Sequence, residues 1–207
     1  MINKKVLITG VATITAILIN FSTYPIFAEE INKKNSQGTA GFMKGELTLD
    51  FASSFDFGVH PISVKDEIYA AAPQKLDDGR EVPNYIQISD LRGSAAGWTL
   101  SVQQKNQFVS IIKNNELIGA QIKFNNGKVI SESINKPKDI VESVNLTPKV
   151  TEKLIFSDLN EGTGTWVYLL GDDVTKGSSV ELSVPGKTFK ESDAYKTVLT
   201  WLLSDVP

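Results

Sequence analysis

The 207-residue chain has no cysteine and a single histidine. Without cysteine there is no disulfide, no thiolate metal site, no cysteine nucleophile and no lipidated cysteine. One histidine, His60, excludes a zinc site built on several imidazoles and leaves a serine-type catalytic triad one candidate base. An excess of basic residues is also lacking: Lys and Arg number 21 against 24 acids, for a formal net charge of −3. That balance lacks the basic footprint of a nucleic-acid binder, so no nucleic-acid partner is expected. It also gives no pull toward anionic wall polymers. Lys136-Pro137-Lys138 and the Lys149/Lys153 pair form only a weak basic patch and read best as solvated charges. Hydrophobic residues at 41% and charged residues at 22% are ordinary globular values.

Long apolar runs are short here too. Asn3-Lys4-Lys5 precedes an apolar stretch over residues 6–19, and Ile26-Phe27-Ala28 precedes Glu29-Glu30. This is the pattern of a secretory signal over residues 1–28, cut after Ala28. An uncleaved anchor is the rival reading. Asn20, Ser22, Thr23 and Pro25 stop the run short of a membrane span, so no transmembrane segment is expected in the mature chain. Removing these residues takes two lysines and no acid, which makes the balance more negative. The C-terminal residues carry no sorting motif and no hydrophobic tail, so an exported chain is expected either to diffuse away or to be held at a cell by non-covalent contacts. Residues 29–37 read as a polar leader and 38–207 as one domain.

Within that domain the periodicity is that of strands. Leu47, Leu49 and Phe51 alternate with polar residues, as do Ile86 and Ile88, then Trp98, Leu100 and Val102, then Val180, Leu182 and Val184. Asn126-Gly127 between two such runs predicts a tight hairpin. Asp77-Asp78-Gly79, Gly162-Thr163-Gly164 and Pro185-Gly186 mark further turns. Tyr195, Leu199 and Leu203 fit a helical spacing, but β-branched Thr197, Val198 and Thr200 favour a final strand. The expected fold is an all-β antiparallel sandwich.

Trp98 and Leu100 share a strand face, and so do Trp201 and Leu203. Burial in the core is the favoured reading for these and for Trp166, which shares a face with Tyr168 in a strand apolar on both sides. A tryptophan exposed for stacking on a sugar ring is the alternative. Asp77-Asp78-Gly79 and Asp172-Asp173 lack a calcium-loop pattern and read as turns. His60 precedes Pro61 and reads as extended or turn rather than as a base. No local pattern marks a catalytic pair among the acids, so the chain reads as a non-enzyme without metal or cofactor.

The two Trp-x-Leu segments have matching surroundings. The first is Asp90-Leu91-Arg92-Gly93-Ser94-Ala95-Ala96-Gly97-Trp98-Thr99-Leu100. The second runs from Tyr195 through Leu199-Thr200-Trp201-Leu202-Leu203 to Pro207. Together they resemble the WxL domain of Gram-positive surface proteins. The motif positions are Asp90, Gly97, Trp98, Leu100, Tyr195, Leu199, Thr200, Trp201, Leu203 and Pro207. Phe55-Asp56-Phe57-Gly58 resembles that family's early strand. The resemblance implies non-covalent attachment to the cell wall through peptidoglycan. It also implies a membrane-anchored surface protein as partner, in a complex contributing to adhesion to host or plant material. The motif residues are then ligand contacts or fold-forming residues.

Overall fold

The computed structural model of the protein describes residues 37–205. The signal, most of the polar leader and Pro207 lie outside them. The chain divides after Gly41, and every strand among the described residues belongs to the unit that begins at Phe42. In order these are β1 (Leu47–Ala52), β2 (Glu67–Ala70), β3 (Gln74–Lys75), β4 (Glu81–Val82), β5 (Asn84–Asp90), β6 (Trp98–Gln104), β7 (Val109–Ser110) and β8 (Gln121–Phe124). There follow β9 (Gly127–Ile130), β10 (Asp139–Ile140), β11 (Val144–Leu146), β12 (Thr151–Ser157), β13 (Gly164–Leu170), β14 (Val180–Val184), β15 (Tyr195–Lys196) and β16 (Leu199–Asp205). Helix is absent among the described residues, as the sequence periodicity predicts.

Three four-stranded antiparallel sheets share one core. Their orders are β1-β5-β13-β9, β10-β12-β6-β16 and β11-β8-β14-β2. The expected alternation supplies the core directly. Ile86 and Ile88 of β5, Trp98, Leu100 and Val102 of β6, Phe124 of β8 and Leu170 of β13 are sealed from solvent. Trp166 and Tyr168 join them from β13, which lies centrally between β5 and β9 as its two apolar faces suggest. A register shift in β12 falls between Lys153 and Ile155, so Leu154 is the extra residue of a bulge. The bulge lets two consecutive side chains, Leu154 and Ile155, enter the core where simple alternation would admit one.

The buried polar tips of the large aromatic side chains have local partners. The Trp98 indole donates to the Gly162 carbonyl at 2.8 Å, and Trp166 donates to the Thr163 carbonyl at 3.0 Å. The Tyr168 hydroxyl donates to the Val141 carbonyl at 2.7 Å, and burial pushes its pKa well above the ordinary phenol value.

The hairpin expected at Asn126-Gly127 does not form. β8 pairs with β11 and β14, whereas β9 pairs with β13 in a different sheet. Asn126 takes a positive φ of 56°, but Gly127 does not follow it, and a two-residue primed turn commonly needs both. Gly127 serves a close approach instead. A Cβ there would come within 2.4 Å of the Tyr168 hydroxyl and the Val141 carbonyl. The Asn125 and Gly127 amides bond outward to Ser179 and Glu142, so the chain is handed from one sheet to the next. The acidic turns follow expectation. Asp78 binds the Arg80 amide and guanidinium. Asp172 accepts from the Thr175 amide and hydroxyl and the Val174 amide, and these bonds hold its carboxyl down at about 2.

Candidate functional site

The two Trp-x-Leu segments pair with each other. β16 lies antiparallel beside β6, with Leu199 opposite Gln104, Trp201 opposite Val102, Leu203 opposite Leu100 and Asp205 opposite Trp98. The inward face of the second segment is therefore laid on the inward face of the first. Their burial differs. Trp98 and Leu100 are fully buried, while Leu199, Trp201 and Leu203 are half-buried at the edge of the core. Trp201 lies parallel to the ring of Phe124, at 6.1 Å and 5°. Thr200 points to the opposite, exposed face. Tyr195 belongs to β15, paired with β7 rather than with β6, and its hydroxyl accepts the Glu191 amide at 2.9 Å.

Asp90 and Gly97 form a brace at the start of β6. Asp90 is buried and holds Arg92 by two parallel hydrogen bonds, each 2.8 Å. Arg92 also donates to the Gly97 carbonyl at 2.8 Å and reaches Asp205 at the end of β16. Burial alone would raise the Asp90 pKa, but the Arg92 hydrogen bonds outweigh it and hold the carboxyl below its ordinary value. Gly97 has φ +78°, and a Cβ there would lie 2.4 Å from the Ser157 carbonyl, so the position admits only glycine without strain. Arg92 is the partner of the motif residues that motif reading passes over. The signal available was an arginine two residues after a motif aspartate.

A cleft of about 730 Å³ opens against the half-buried motif face. Leu199, Trp201, Ile122 and Leu182 line one side. Phe55, Phe57 and His60 line the other, from the segment between β1 and β2. Here a second expectation is corrected. Phe55-Asp56-Phe57-Gly58 is not a strand. Phe55 packs on Phe124 at 5.4 Å and Phe57 on Phe108 at 6.1 Å, while the Asp56 carboxylate accepts the Gly58 amide and Gly58 turns the chain at φ +77°. The segment is fixed by its rings rather than by a ladder. His60 is exposed, stacked on Tyr69 at 4.1 Å, with Nε2 2.6 Å from the Phe57 carbonyl.

Three charged groups at the cleft, Lys190, Glu191 and Asp193, are already engaged. The Lys190 ammonium points at four backbone carbonyls, those of Ser63, Pro185, Gly186 and Thr188, at 2.9–3.4 Å. Glu191 accepts from Lys113 and Asn115, which hold its carboxyl below the ordinary value. Asp193 accepts from the Ser110 hydroxyl and the Ile112 amide, with the same consequence. Among the described residues no three His, Cys, Asp or Glu side chains gather as metal ligands. The arrangement suits binding: an apolar, aromatic floor with a rigid polar rim.

The model of the WxL domain family, described as surface cell wall-binding, matches residues 23–207. The chain belongs to the WxL family. No curated protein and no solved structure shows a significant match. As a WxL protein it is an extracellular, cell-wall-associated protein, and the family is a cell wall-binding one rather than a catalytic one. In this WxL chain the signature pattern is a strand pair: one copy forms the core, and its neighbour forms one wall of a cleft.

Proposed function

We propose that this protein attaches non-covalently to peptidoglycan through the cleft beside Trp201, without catalysis. The family match carries the reading, and the cleft supplies a place for it. Trp201 is the motif tryptophan with surface left to offer, and aromatic faces suit the apolar faces of sugar rings. The test is co-sedimentation of the exported protein with sacculi stripped of protein and teichoic acid. Saturable binding is expected, and Trp201→Ala weakens it while near-UV circular dichroism still reports a folded protein. A folded wild-type protein that stays in the supernatant overturns the reading.

A second reading rests on the three charged groups that are engaged at the rim. A glycan brings many hydroxyls, and Lys190, Glu191 and Asp193 are already paired. A largely apolar cleft whose carboxylates are already paired suits a protein side chain from a membrane-anchored surface partner. Failure to bind clean sacculi combined with retention on intact cells favours it, and places the chain as a subunit of an adhesive complex.

A further inference from the structure

Residues 53–66 join β1 to β2 without entering a ladder. Both ends of this connection are tied down. On the β1 side the Ser53 amide donates to the Tyr85 carbonyl at 2.9 Å, and the Asp56 carbonyl accepts the Ala72 amide at 2.8 Å. On the β2 side the Ser63 carbonyl accepts from Lys190 at 3.2 Å, and the Asp66 carboxylate accepts the Gly186 amide at 2.7 Å. Between these anchors, residues 57–62 send no backbone hydrogen bond to another element among the described residues. Their bonds are local: the Gly58 amide to the Asp56 carboxylate, and the His60 ring to the Phe57 carbonyl.

Two rings hold this stretch to the body. Phe57 lies edge-on to Phe108, and His60 stacks on Tyr69 of β2 at 4.1 Å and 17°. The remainder is unsupported: Val59 is fully exposed, and Ile62 is more than half exposed. A segment with firm ends, few buried contacts and no ladder opens at low cost. Gly58, at φ +77°, supplies a joint beside the first anchor, because glycine takes either sign of φ without a steric penalty. The stretch is one wall of the cleft. Phe108, Leu117, Leu182 and Val184 form an apolar floor in the same cleft, at most 6% exposed.

We propose that residues 57–62 are a lid on the cleft beside Trp201, hinged at Gly58 and Ser63 and latched by the His60–Tyr69 stack. The lid rests on the reading of this cleft as the binding site. Closed, it lays Phe57 on Phe108. Released, it widens the cleft and bares the apolar floor, so the closed form dominates until a ligand that prefers the open cleft binds. The chain's one histidine then acts as a latch, through its flat face and its ring N–H.

The absence of cysteine makes the test direct. Val184→Cys puts a sole thiol on the floor, at a position 3% exposed. Ile88→Cys, in a parallel protein, puts one in the core away from the cleft. Labelling with a soluble thiol reagent times the opening. The Val184→Cys thiol is expected to react faster than the Ile88→Cys thiol. His60→Ala should speed the first about tenfold, as the loss of one ring stack and one hydrogen bond implies, and leave the second unchanged. His60→Phe, which keeps a ring on Tyr69, should restore most of the protection. Equal rates at the two thiols overturn the proposal, since both are then reached only by global unfolding. So does a His60→Ala protein with an unchanged Val184→Cys rate. Where a cysteine variant does not fold, acrylamide quenching of the cysteine-free chain decides. Trp98 and Trp166 are sealed, so quenching reads Trp201. It should rise in His60→Ala and not in His60→Phe, and quenching unchanged by His60→Ala overturns the lid. Neither assay contains wall material, so failure here strikes the lid alone, whereas failure of sacculus sedimentation strikes the reading of the cleft.

Discussion

Trp98 and Trp201 share a three-letter pattern, face the same way and sit on neighbouring strands, but their surroundings are not alike. Trp98 has β12 on one side and β16 on the other, full burial, and an acceptor for its indole at Gly162. Trp201 has one neighbouring strand, a parallel phenyl ring at Phe124 and a cleft. A repeated motif thus does two jobs. The first copy is sealed in the core, and the second reaches the surface. Loss of function after changing Trp98 would report folding, whereas loss after changing Trp201 can report contact.

The sharpest test is to truncate each ring. Trp98→Ala should cost about 3–5 kcal/mol, the range for a buried large aromatic, whereas half-buried Trp201→Ala should cost roughly 1–2 kcal/mol. Urea unfolding midpoints would show it, and equal costs would break the distinction. Next is the brace that ties the start of β6 to the end of β16. Arg92→Ala strands the buried Asp90 carboxylate and should lose about 3 kcal/mol in the same assay. Gly97→Ala should lose about 1–3 kcal/mol through backbone strain, and a neutral outcome would mean that the Ser157 strand end yields.

Acid should act on the brace as well. Asp90 has its pKa lowered in the folded state relative to 3.8, so its contribution is complete above that value. It is lost as pH falls through the lower folded value. Melting temperatures from about pH 6 downward should fall less steeply below about pH 4 in Asp90→Asn than in the wild type. The smallest effect expected is at Lys153, whose ammonium sits over the Phe156 ring at 5.1 Å on the surface. Lys153→Ala should stay within about 1 kcal/mol of the wild type, serving as the control.

Much of the fold was legible because alternation is a local property. Residues 98–102 and 180–184 declare their inward faces in the sequence alone, and β-branched residues settle 199–205 as a strand rather than a helix. Partner choice is not local, and there sequence reading failed. Asn126-Gly127 looks like a hairpin corner, but β9 and β8 pair along their whole length with β13 and β14 in separate sheets. Phe55 and Phe57 alternate as a strand would, but their rings find Phe124 and Phe108 while their backbone joins no ladder. The motif positions were legible as a set. Which of them is sealed and which lines a cleft depends on sheet order, and Arg92 ties the two segments together because β16 brings Asp205 to it.

The pairing of β6 with β16 joins residues about one hundred positions apart, and β16 is the last strand in chain order. Contacts so distant form late, since loop closure must precede any reward from them. A chain exported from its N-terminus would present the apolar face of β6 outside the cell well before β16 emerges to cover its flank. The interval between those two events is when the polypeptide is most open to proteolysis and sticking. With no cysteine to cross-link an intermediate, its safe passage rests on how quickly the last seven-residue strand docks.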